Sequence, residues 1–480
     1  MLKKSHVADF RYRRIADALA GQIKAGHWQT GDRLPSVRAL MRQSDASMST
    51  VVSALLLLEA DGMIRSMPRS GWFVAYTEMI ADSWRTASAE KPIPVSVNQM
   101  VLRLLSSVDD TTIMAMGSTT IDRALLPVAE LNQAMAIVAR RQPDRTVRSG
   151  QSALGEENLR RHIARLMAAR DAGGVPVMPD EIVITAGDAL SMEMILQLVA
   201  QNGVVAVESP SYFGNLQVLE NLGLKVIEIA TDATHGMDLA ALEQALGQQA
   251  IRAVIVSPTC QNPFGFTMSP DAKRGLLELA HRYDLTIIED DIYGDLFFGP
   301  GVPPTLHSLD REGRVVFCSS FSKTLSPSWR VGWMIPGVWR ERFLAQKLVR
   351  GNGVSTLPQL VLAQYLCGRG YPRHLAALRA LFQAQAPLIR KCVLDYFPAG
   401  TKVTEPQGGY VFWIELPKRC DAVQLSTLAF NHGISIAPGA IFSADNRFPN
   451  AIRLSIGAAL TPSIRQSIAQ LGVLANGMGN

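Results

Sequence analysis

The chain of 480 residues is longer than one ordinary hydrophobic core, so its length predicts two or three domains. Its 48% hydrophobic and 19% charged residues are typical of a soluble globular protein, and no signal region or apolar run of about 18 residues predicts secretion or membrane insertion. Five scattered cysteines, an odd number with no pair at metal-ligand spacing, indicate reduced thiols in the cytoplasm and no metal site.

Residues 1–76 predict three helices followed by a two-stranded wing. Apolar side chains recur at helical spacing in the first helix. A turn and a capping serine, Ser36, precede a short second helix, and Ser47 or Ser49 caps a third. Residues 63–74 then read as two short strands with a basic tip. A helix, a helix-turn-helix and a wing make up a duplex-DNA reader whose third helix enters the major groove.

The excess positive charge lies entirely in this N-terminal part. Residues 1–76 hold eleven Lys and Arg against six Asp and Glu, a net charge of +5, and the net charge of the whole chain is also +5. In the remainder, 36 basic residues balance 36 acidic ones. Attraction to DNA phosphates accounts for this segregation, whereas basic residues that served only solubility would be spread over the chain.

Residues 77–100, rich in Ala, Ser and Glu, predict a linker between the first domain and the rest of the chain. Fully extended, such a segment spans roughly 80 Å, enough to reach a partner subunit. In the remaining domain, 101–480, strands alternate with helices up to about residue 338, which predicts a doubly wound α/β fold with a mainly parallel sheet. The helices and separate strands that follow predict a smaller α+β subdomain.

Polar and aromatic side chains follow the buried-strand patterns of this second domain. Tyr212 follows one strand and Asn262 the next, while Asp290 ends a third strand and Tyr293 comes three residues later. Taken singly, each of these residues is more simply explained as part of a turn, as a solvated strand end or as a half-buried ring. Open α/β sheets bind ligands at the carboxyl ends of their strands. Because all of these residues follow predicted strands, they predict a single ligand site. A carboxylate there can keep a pyridine nitrogen protonated.

The segment 319–333 places Lys323 among serine and threonine hydroxyls, with Arg330 seven positions later. Hydroxyls such as those of Ser320 and Ser322, together with an arginine fork, can bind phosphate oxygens. A lysine whose charge is suppressed can form a Schiff base with an aldehyde. Taken alone, the segment is equally well explained as a serine-rich surface loop with a solvated lysine, but the strand ends upstream favour a site.

From about Met116 to the C-terminus, these patterns resemble the fold-type I pyridoxal-phosphate enzymes, the aspartate aminotransferase superfamily. Two further motifs, at 117–127 and 155–160, carry the resemblance. The resemblance implies a pyridoxal 5'-phosphate cofactor and a homodimer, since such sites are built at a dimer interface. It also implies these roles: Lys323 carries the cofactor, Asp290 pairs with the pyridine nitrogen, Tyr293 and Asn262 hold the phenolic oxygen, Tyr212 stacks on the ring, Ser320, Ser322 and Arg330 bind phosphate, and Arg453 clamps the α-carboxylate of an amino acid.

The predicted phosphate cradle departs from the family pattern. Gly187 ends a strand and opens a helix whose N–H groups favour phosphate. The family usually has a hydroxyl and an amide side chain in the next two positions, where this chain has Asp188 and Ala189. An ionised Asp188 would repel a phosphate dianion, and the segment around Gly150 lacks the tyrosine that the family often contributes across the dimer. We therefore expect weaker cofactor binding than in a typical aminotransferase.

The N-terminal residues resemble the GntR family of winged helix-turn-helix regulators, through Gly-Asp-Arg-Leu-Pro-Ser at 31–36 and Arg-Ser-Gly-Trp-Phe-Val at 69–74. The two resemblances in this order are those of the MocR subfamily, in which a GntR-type domain is fused to an aminotransferase-like domain. Met48 and Val52 stand where the family often has arginines, so bidentate readout of guanine is poorly supported in this helix. The resemblance implies that these residues face DNA: Arg38, Ser47, Ser49, Thr50, Arg65, Arg69 and Ser70.

Two functional hypotheses follow. In the favoured one, the protein is a transcription regulator in which an amino compound displaces Lys323 from the cofactor, and the resulting shift changes the spacing or orientation of the DNA-binding domains on an operator. In the alternative, the protein is a pyridoxal-phosphate-dependent aminotransferase with an accessory DNA-binding domain, and Lys323 is also the general base. A cofactor-free scaffold would require Asp188 to exclude phosphate, and we regard it as the weakest of the three.

Overall fold

The chain divides into two compact units, Met1–Ser83 and Trp84–Asn480. Within the described ranges, no helix combines the length and the apolarity that a membrane crossing requires. The computed structural model describes residues 5–24, 27–28, 31–60, 63–67, 71–74, 86, 88–89, 91–105, 110, 112–147, 152–170, 174, 176–201, 203–350 and 354–478.

The first unit consists of three helices and an antiparallel wing. Helix α1 spans Ser5–Lys24, α2 Val37–Ser44 and α3 Met48–Ala60, and the wing strands are β1, Ile64–Met67, and β2, Gly71–Val74. The predicted helix-turn-helix and wing are therefore confirmed. All five elements contribute apolar side chains to one buried core: Ala16, Leu19, Ile23, Leu40, Val51, Ala54, Leu55, Leu58, Ile64 and Val74.

Two serines define the starts of the second and third helices. Ser36 Oγ accepts a hydrogen bond from Ala39 N at 3.3 Å, as predicted for the cap of α2. Ser47 Oγ accepts a hydrogen bond from Thr50 N at 3.3 Å, so Ser47 is the one of the two candidate serines that caps α3. The tip of the wing, residues 68–70, lies outside the described residues.

The second unit begins inside the segment that the sequence predicts as a linker. Strand β3, Ile93–Pro94, pairs antiparallel with residues 225–226 of the central sheet, and helix α4, Asn98–Leu105, follows it. Thr86 Oγ1 and Ala89 N are already hydrogen-bonded to this unit. A two-residue strand that contains proline has no periodicity, so no pattern in the sequence marks it.

The second unit is built on a mixed sheet that has nine strands in the described residues. With β3, they are β5 (Val183–Thr185), β6 (Val204–Ser209), β7 (Lys225–Asp232), β8 (Gly236–Met237), β9 (Ile251–Val256), β10 (Thr286–Asp290), β11 (Val315–Ser320) and β12 (Gly332–Ile335). Their order is β3-β7-β6-β9-β10-β11-β12-β5, and β8 pairs with β7. Strands β7, β6, β9, β10 and β11 are parallel, so their carboxyl ends meet at one edge.

Helices connect these strands, as the alternating pattern predicts. The parallel strands are almost continuous buried apolar runs, which is typical of a sheet covered on both faces. The helices are α5 (Val128–Arg141), α6 (Pro143–Val147), α7 (Glu157–Ala168), α8 (Asp188–Val199), α9 (Phe213–Asn221), α10 (Leu239–Gln248), α11 (Pro270–Arg282), α12 (Leu306–Leu309), α13 (Arg340–Val349) and α14 (Thr356–Leu366). Short 3₁₀ turns lie at Arg123–Leu125, Gly294–Leu296, Phe321–Lys323, Pro327–Trp329, Gly337–Trp339 and Gly439–Phe442.

A smaller α+β subdomain, also as predicted, surrounds an antiparallel sheet. This sheet is ordered β13 (Lys402–Val403), β14 (Val411–Glu415), β17 (Ala451–Ser455) and β16 (Ala437–Pro438), while β15 (Ile434–Ser435) pairs in parallel with β4 (Met114–Ala115). The helices of the subdomain are α15 (Gly370–Tyr396), α16 (Ala422–Asn431) and α17 (Pro462–Asn476). Arg453 lies on strand β17.

Candidate functional site

Lys323 lies directly after a strand of the parallel sheet. β11 ends at Ser320, whose Oγ accepts a hydrogen bond from Ser322 N at 3.3 Å, and the 3₁₀ turn that follows ends on Lys323. Lys323 Nζ donates to the carbonyl oxygen of Thr119 at 3.0 Å and to its Oγ1 at 2.6 Å. Burial, and then the nearby charge of Arg453, lower the pKa of Lys323 to about 8. Near neutral pH, a larger fraction of this amine is neutral and nucleophilic than in an ordinary lysine.

The two aspartates that end β10 have different partners. Asp290 is buried and accepts a hydrogen bond from Asn215 Nδ2, on α9, at 3.3 Å. Burial raises the pKa of Asp290 to about 6, which leaves it largely ionised at neutral pH. Asp291 instead forms a buried ion pair with Arg170. Asp291 is therefore a structural residue, and Asp290 is the carboxylate free to meet a ligand.

One cleft joins the residues predicted at the strand ends. Its lining includes Tyr212, Asn262, Asp290, Tyr293 and Lys323. The Tyr293 hydroxyl is buried and meets no partner with hydrogen-bond geometry among the described residues. Burial raises the pKa of Tyr293 to about 12, so the hydroxyl stays protonated. A buried donor without a partner is costly, and a ligand oxygen in the cleft would satisfy it.

The start of α8 and Arg330 form the phosphate end of the site. Gly187 has a φ of 106°, and a Cβ at this position would lie 2.5 Å from Arg330 Nη2. The close approach of backbone and guanidinium therefore requires glycine. No side chain caps the helix, so its first N–H groups, which include those of Asp188 and Ala189, are available to an anion.

Asp188 is the residue of this cradle that departs from the family pattern. Its Oδ1 is buried and has no hydrogen-bond partner among the residues that the structure describes. Burial, and then the charge of Asp290, raise the pKa of Asp188 well above its usual range. The repulsion expected from the sequence requires an ionised carboxylate. In its protonated form, Asp188 can instead donate a hydrogen bond to a phosphate oxygen.

Arg453 lies fully buried at the other end of the site. Nη1 donates to Asn262 Oδ1 at 3.3 Å, and Nη2 donates to the carbonyl oxygen of Gly117. The guanidinium carbon lies 5.5 Å from the ring centroid of Phe213 and 5.2 Å from that of Phe442. Arg453 makes no salt bridge within the described part of the chain, and its Nε is buried without a partner. A buried cation without a counter-ion is suited to a ligand carboxylate.

Three residues of the site are not among those predicted from the sequence. Thr119 holds Lys323, Asn215 holds Asp290, and Tyr410 Oη donates to the carbonyl oxygen of Thr119 at 3.1 Å. Thr119 lies in the motif at 117–127, which is a signal that could have been used. Nothing in the local sequence marks the other two, because their partners lie 75 and 291 positions away.

Residues 111–470 match the class I and II aminotransferases, and residues 11–74 match the gntR family of bacterial regulatory proteins. The two matches cover the two units in the order expected of a GntR-type domain fused to an aminotransferase-like one. The chain belongs to the MocR subfamily. It is 36% identical over 464 residues to the uncharacterized HTH-type transcriptional regulator YjiR of Escherichia coli, an alignment that covers 96% of this chain and 98% of YjiR.

Solved structures of aminotransferases are similar to the second unit of this MocR protein. Kynurenine aminotransferase of Pyrococcus horikoshii, in complex with PMP, is 26% identical with a TM-score of 0.71, and the match covers 80% of this chain and 95% of that one. LysN, the α-aminoadipate aminotransferase of Thermus thermophilus, gives the same identity and TM-score, with 80% and 99% coverage. This MocR protein is thus a DNA-binding transcription regulator with an aminotransferase-like domain.

The residues present fit pyridoxal 5'-phosphate, the cofactor of this domain. Lys323 provides the amine for its aldehyde, and the buried Asp290 provides a carboxylate for its pyridine nitrogen. The glycine required at position 187, beside Arg330, leaves backbone donors and a guanidinium for its phosphate.

Five of the seven residues predicted to face DNA lie within the described ranges of the first unit. Arg38, on α2, and Arg65, on β1, are exposed. At the start of α3, Ser47 Oγ is hydrogen-bonded to Ser49 Oγ at 2.9 Å and to Thr50 Oγ1 at 2.8 Å. These three hydroxyls therefore form one polar cluster at the amino end of the recognition helix. The other two residues predicted to face DNA lie outside the described ranges: Arg69 and Ser70.

Proposed function

We propose that this regulator senses an amino compound at its pyridoxal-phosphate site and that binding of this compound changes its affinity for DNA. The observation that carries the proposal is that the segment leading from the DNA-binding unit is hydrogen-bonded to the edge of the sheet that forms the site. We also propose that it acts as a homodimer on paired half-sites, since the aminotransferase fold is typically dimeric, and that it works in the cytoplasm, where its operator lies.

Thr86 connects this segment to the end of β6, which lies next to the ligand site in sequence. Its Oγ1 donates to the carbonyl oxygen of Ser209 at 2.6 Å and accepts a hydrogen bond from Thr231 N at 3.0 Å. Ser209 ends β6, and Tyr212, in the lining of the cleft, comes three residues later. A ligand that displaces the end of β6 therefore acts directly on the segment that leads to the DNA-binding unit.

A buried glutamate joins the same strand end to the ligand-binding arginine. Glu228, fully buried on β7, accepts hydrogen bonds from Ser209 Oγ at 2.9 Å and from Ala444 N at 2.6 Å. Phe442, two residues before Ala444, packs against the guanidinium of Arg453. A contiguous set of contacts thus runs from Arg453 to Ser209, and this supports a coupling between ligand and linker.

The side chains of the site have separable roles in this proposal. When bound, pyridoxal phosphate supplies an aldehyde carbon that a primary amine can occupy in place of Lys323. Lys323 then retains Thr119 as its partner, and burial favours its neutral form beside a second cation. Arg453 holds the ligand carboxylate in a desolvated position. Signalling requires that the ligand bind two arrangements of this network with different free energies.

A second function, transamination, is supported by a separate observation. Lys323 and Asp290 line one cleft, and the charge of Arg453 acts on Lys323. An amine that could move a proton is therefore near both a carboxylate and a guanidinium that could bind an anion. The regulator and the aminotransferase differ in whether the ligand is consumed. Both activities would use the same residues.

Two parallel titrations of the full-length, cofactor-loaded protein test the proposal. A DNA duplex selected from a random pool is titrated with and without each member of a panel of amino acids and amines, while the visible absorption of the cofactor is recorded. We expect at least one compound to change both the spectrum and the DNA dissociation constant, the latter by about 5- to 150-fold. Lys323→Ala should remove both responses.

The outcomes separate the two functions. Spectral changes across the panel with no change in DNA affinity would show that sensing is wrong. Conversion of the cofactor to its amine form, with release of a keto acid, would support transamination. Binding without conversion, coupled to DNA affinity, would support the regulator alone.

A further inference from the structure

We propose that the recognition helix reads thymine-rich half-sites through apolar contact with thymine methyl groups, and that Met48 and Val52 are the specificity-determining side chains. The inference rests on DNA binding by the N-terminal unit and adds the class of base that this unit recognises.

Burial determines which face of α3 is presented to DNA. The face that packs against the core comprises Val51, Ala54, Leu55 and Leu58, each at most 1% exposed. The outward face therefore consists of the residues at 48, 49, 52, 53 and 56, which share one side of a helix. Met48 is 60% exposed and Leu56 is 52% exposed. This outward stripe is apolar, with serines at two of its five positions.

The helix lacks the side chains that read purines. Met48–Ala60 contains no Arg, Lys, His, Asn or Gln, so it offers no bidentate partner for guanine or adenine. Two of its polar groups, Ser49 and Thr50, are hydrogen-bonded to Ser47. Glu59 accepts a hydrogen bond from Ser66 N of the wing at 2.7 Å. Thymine is the base that offers an apolar group in the major groove, so it is the partner that fits this stripe.

The charge around the stripe indicates duplex DNA as its occupant. Exposed arginines lie on the elements packed against α3, namely Arg38 and Arg42 on α2 and Arg65 on β1. Residues 1–76 carry a net charge of +5, whereas the rest of the chain is neutral. A protein partner for an apolar face would not require a cationic border, but a phosphate backbone on either side of a major groove would. The arginines position the helix and the stripe selects the base.

Removal of thymine methyl groups from a bound site tests the inference. Half-sites are first selected from a random pool with the full-length protein, and each thymine is then replaced by deoxyuridine, which lacks the C5 methyl and keeps every hydrogen-bonding group. We expect A·T-rich half-sites and a loss of about fourfold in affinity for each contacted methyl, the fold-change for exposing one methylene-sized group. Binding to unrelated DNA should not change.

Met48→Ala identifies the side chain that makes the contact. The variant should bind the thymine site several-fold more weakly and the deoxyuridine site as wild type does, so the two changes are not additive. Met178→Ala, a change at a methionine that is also 60% exposed but lies in the other unit, is the matched control and should behave as wild type. Met48→Arg should shift the preference towards guanine.

Two kinds of result would overturn the inference, and only the second would also contradict sequence-specific DNA binding. Half-sites that are rich in G·C, or a methyl dependence that Met48→Ala leaves intact, would refute apolar readout while DNA recognition stands. Failure of the full-length protein to select any sequence would remove the DNA-reading function itself, and the inference with it.

Discussion

The two ends of the ligand cleft each hold a buried ionisable side chain, but the two side chains have different partners. Arg453 has two hydrogen-bond acceptors and packs against Phe442. Two residues after Phe442, Ala444 N donates to Glu228, which also accepts a hydrogen bond from Ser209. Asp188, at the phosphate end, has a buried oxygen without a partner.

Under the proposed function, cofactor binding and signalling are therefore assigned to different ends of the cleft. A cradle of backbone N–H groups, glycine and Arg330 needs only to hold the cofactor. The carboxylate end is the one whose contacts lead to the linker. We therefore expect two ligands that differ only in a carboxylate to differ in their effect on DNA affinity and not in their effect on cofactor binding. Four predictions test this division.

Removal of Lys323, which lies between the two ends, has the largest expected effect. Lys323→Ala should abolish the lysine-dependent visible absorption of the bound cofactor and every ligand response, because the described lining of the cleft contains no second lysine. Lys347 is a matched control, since burial also lowers its pKa to about 8 and it donates to the carbonyl oxygen of Ala153, away from the cleft. Lys347→Met should keep the band. Retention of the band in Lys323→Ala would refute the assignment.

Loss of the guanidinium at the carboxylate end should affect the ligand and spare the cofactor. Arg453→Met removes the counter-ion of a buried carboxylate, which costs about 2 to 4 kcal/mol, or roughly 30- to 1000-fold in affinity for an amino acid. Spectroscopic titration with an amino acid and with its decarboxylated amine measures the difference. The amine should bind both proteins equally. An equal loss for both ligands would mean that Arg453 supports the fold of the site rather than the carboxylate.

Much of the site could be predicted because parallel strands end at one edge of a sheet. Tyr212, Asn262, Asp290 and Lys323 each follow a buried apolar run, and the order of the runs along the chain brings them to one cleft. The helix-turn-helix could be predicted for a similar reason, since the cap at Ser36 and the spacing of apolar side chains are local signals.

The remainder depends on contacts between residues far apart in sequence. The partner of Lys323 lies 204 positions away at Thr119, and no periodicity relates them. The attachment at Thr86 depends on Ser209, which lies 123 positions away. The raised pKa of Asp188 is caused mainly by burial, which cannot be seen in a sequence. From its residue type alone, Asp188 is expected to be ionised and to repel phosphate, but a protonated Asp188 would not.

The phosphate end should show a pH dependence that one substitution removes. Because the pKa of Asp188 is raised in the folded protein, its donor form is lost as the pH rises through that pKa, and phosphate affinity should fall. Asp188→Asn keeps a donor at every pH, so its advantage over wild type in binding pyridoxamine phosphate should grow as the pH rises, to about tenfold where Asp188 is ionised, roughly one pKa unit of interaction. Calorimetry with this ligand, which has no aldehyde for Lys323, separates the effect from Schiff-base formation. Parallel pH profiles for both proteins would contradict the prediction.

The smallest expected effect is on the coupling between ligand binding at the carboxylate end and DNA affinity. Glu228→Gln preserves the size of the side chain but weakens its bonds to Ser209 and Ala444, so the ligand-induced change in DNA affinity should shrink by roughly 2- to 5-fold. Ligand affinity and the cofactor band should stay as in wild type, because Glu228 contacts neither.

A second glutamate serves as the control for this change. Glu220, on α9, accepts hydrogen bonds from Val97 N and Asn98 N at 2.6 and 2.9 Å, so it also connects the predicted linker to the second unit, but not at Ser209. If Glu220→Gln reduces the coupling as much as Glu228→Gln does, the signal passes through general attachment of the segment. If only Glu228→Gln reduces it, the signal passes through the strand end beside the ligand, because that is where the contacts from Arg453 and from Thr86 converge.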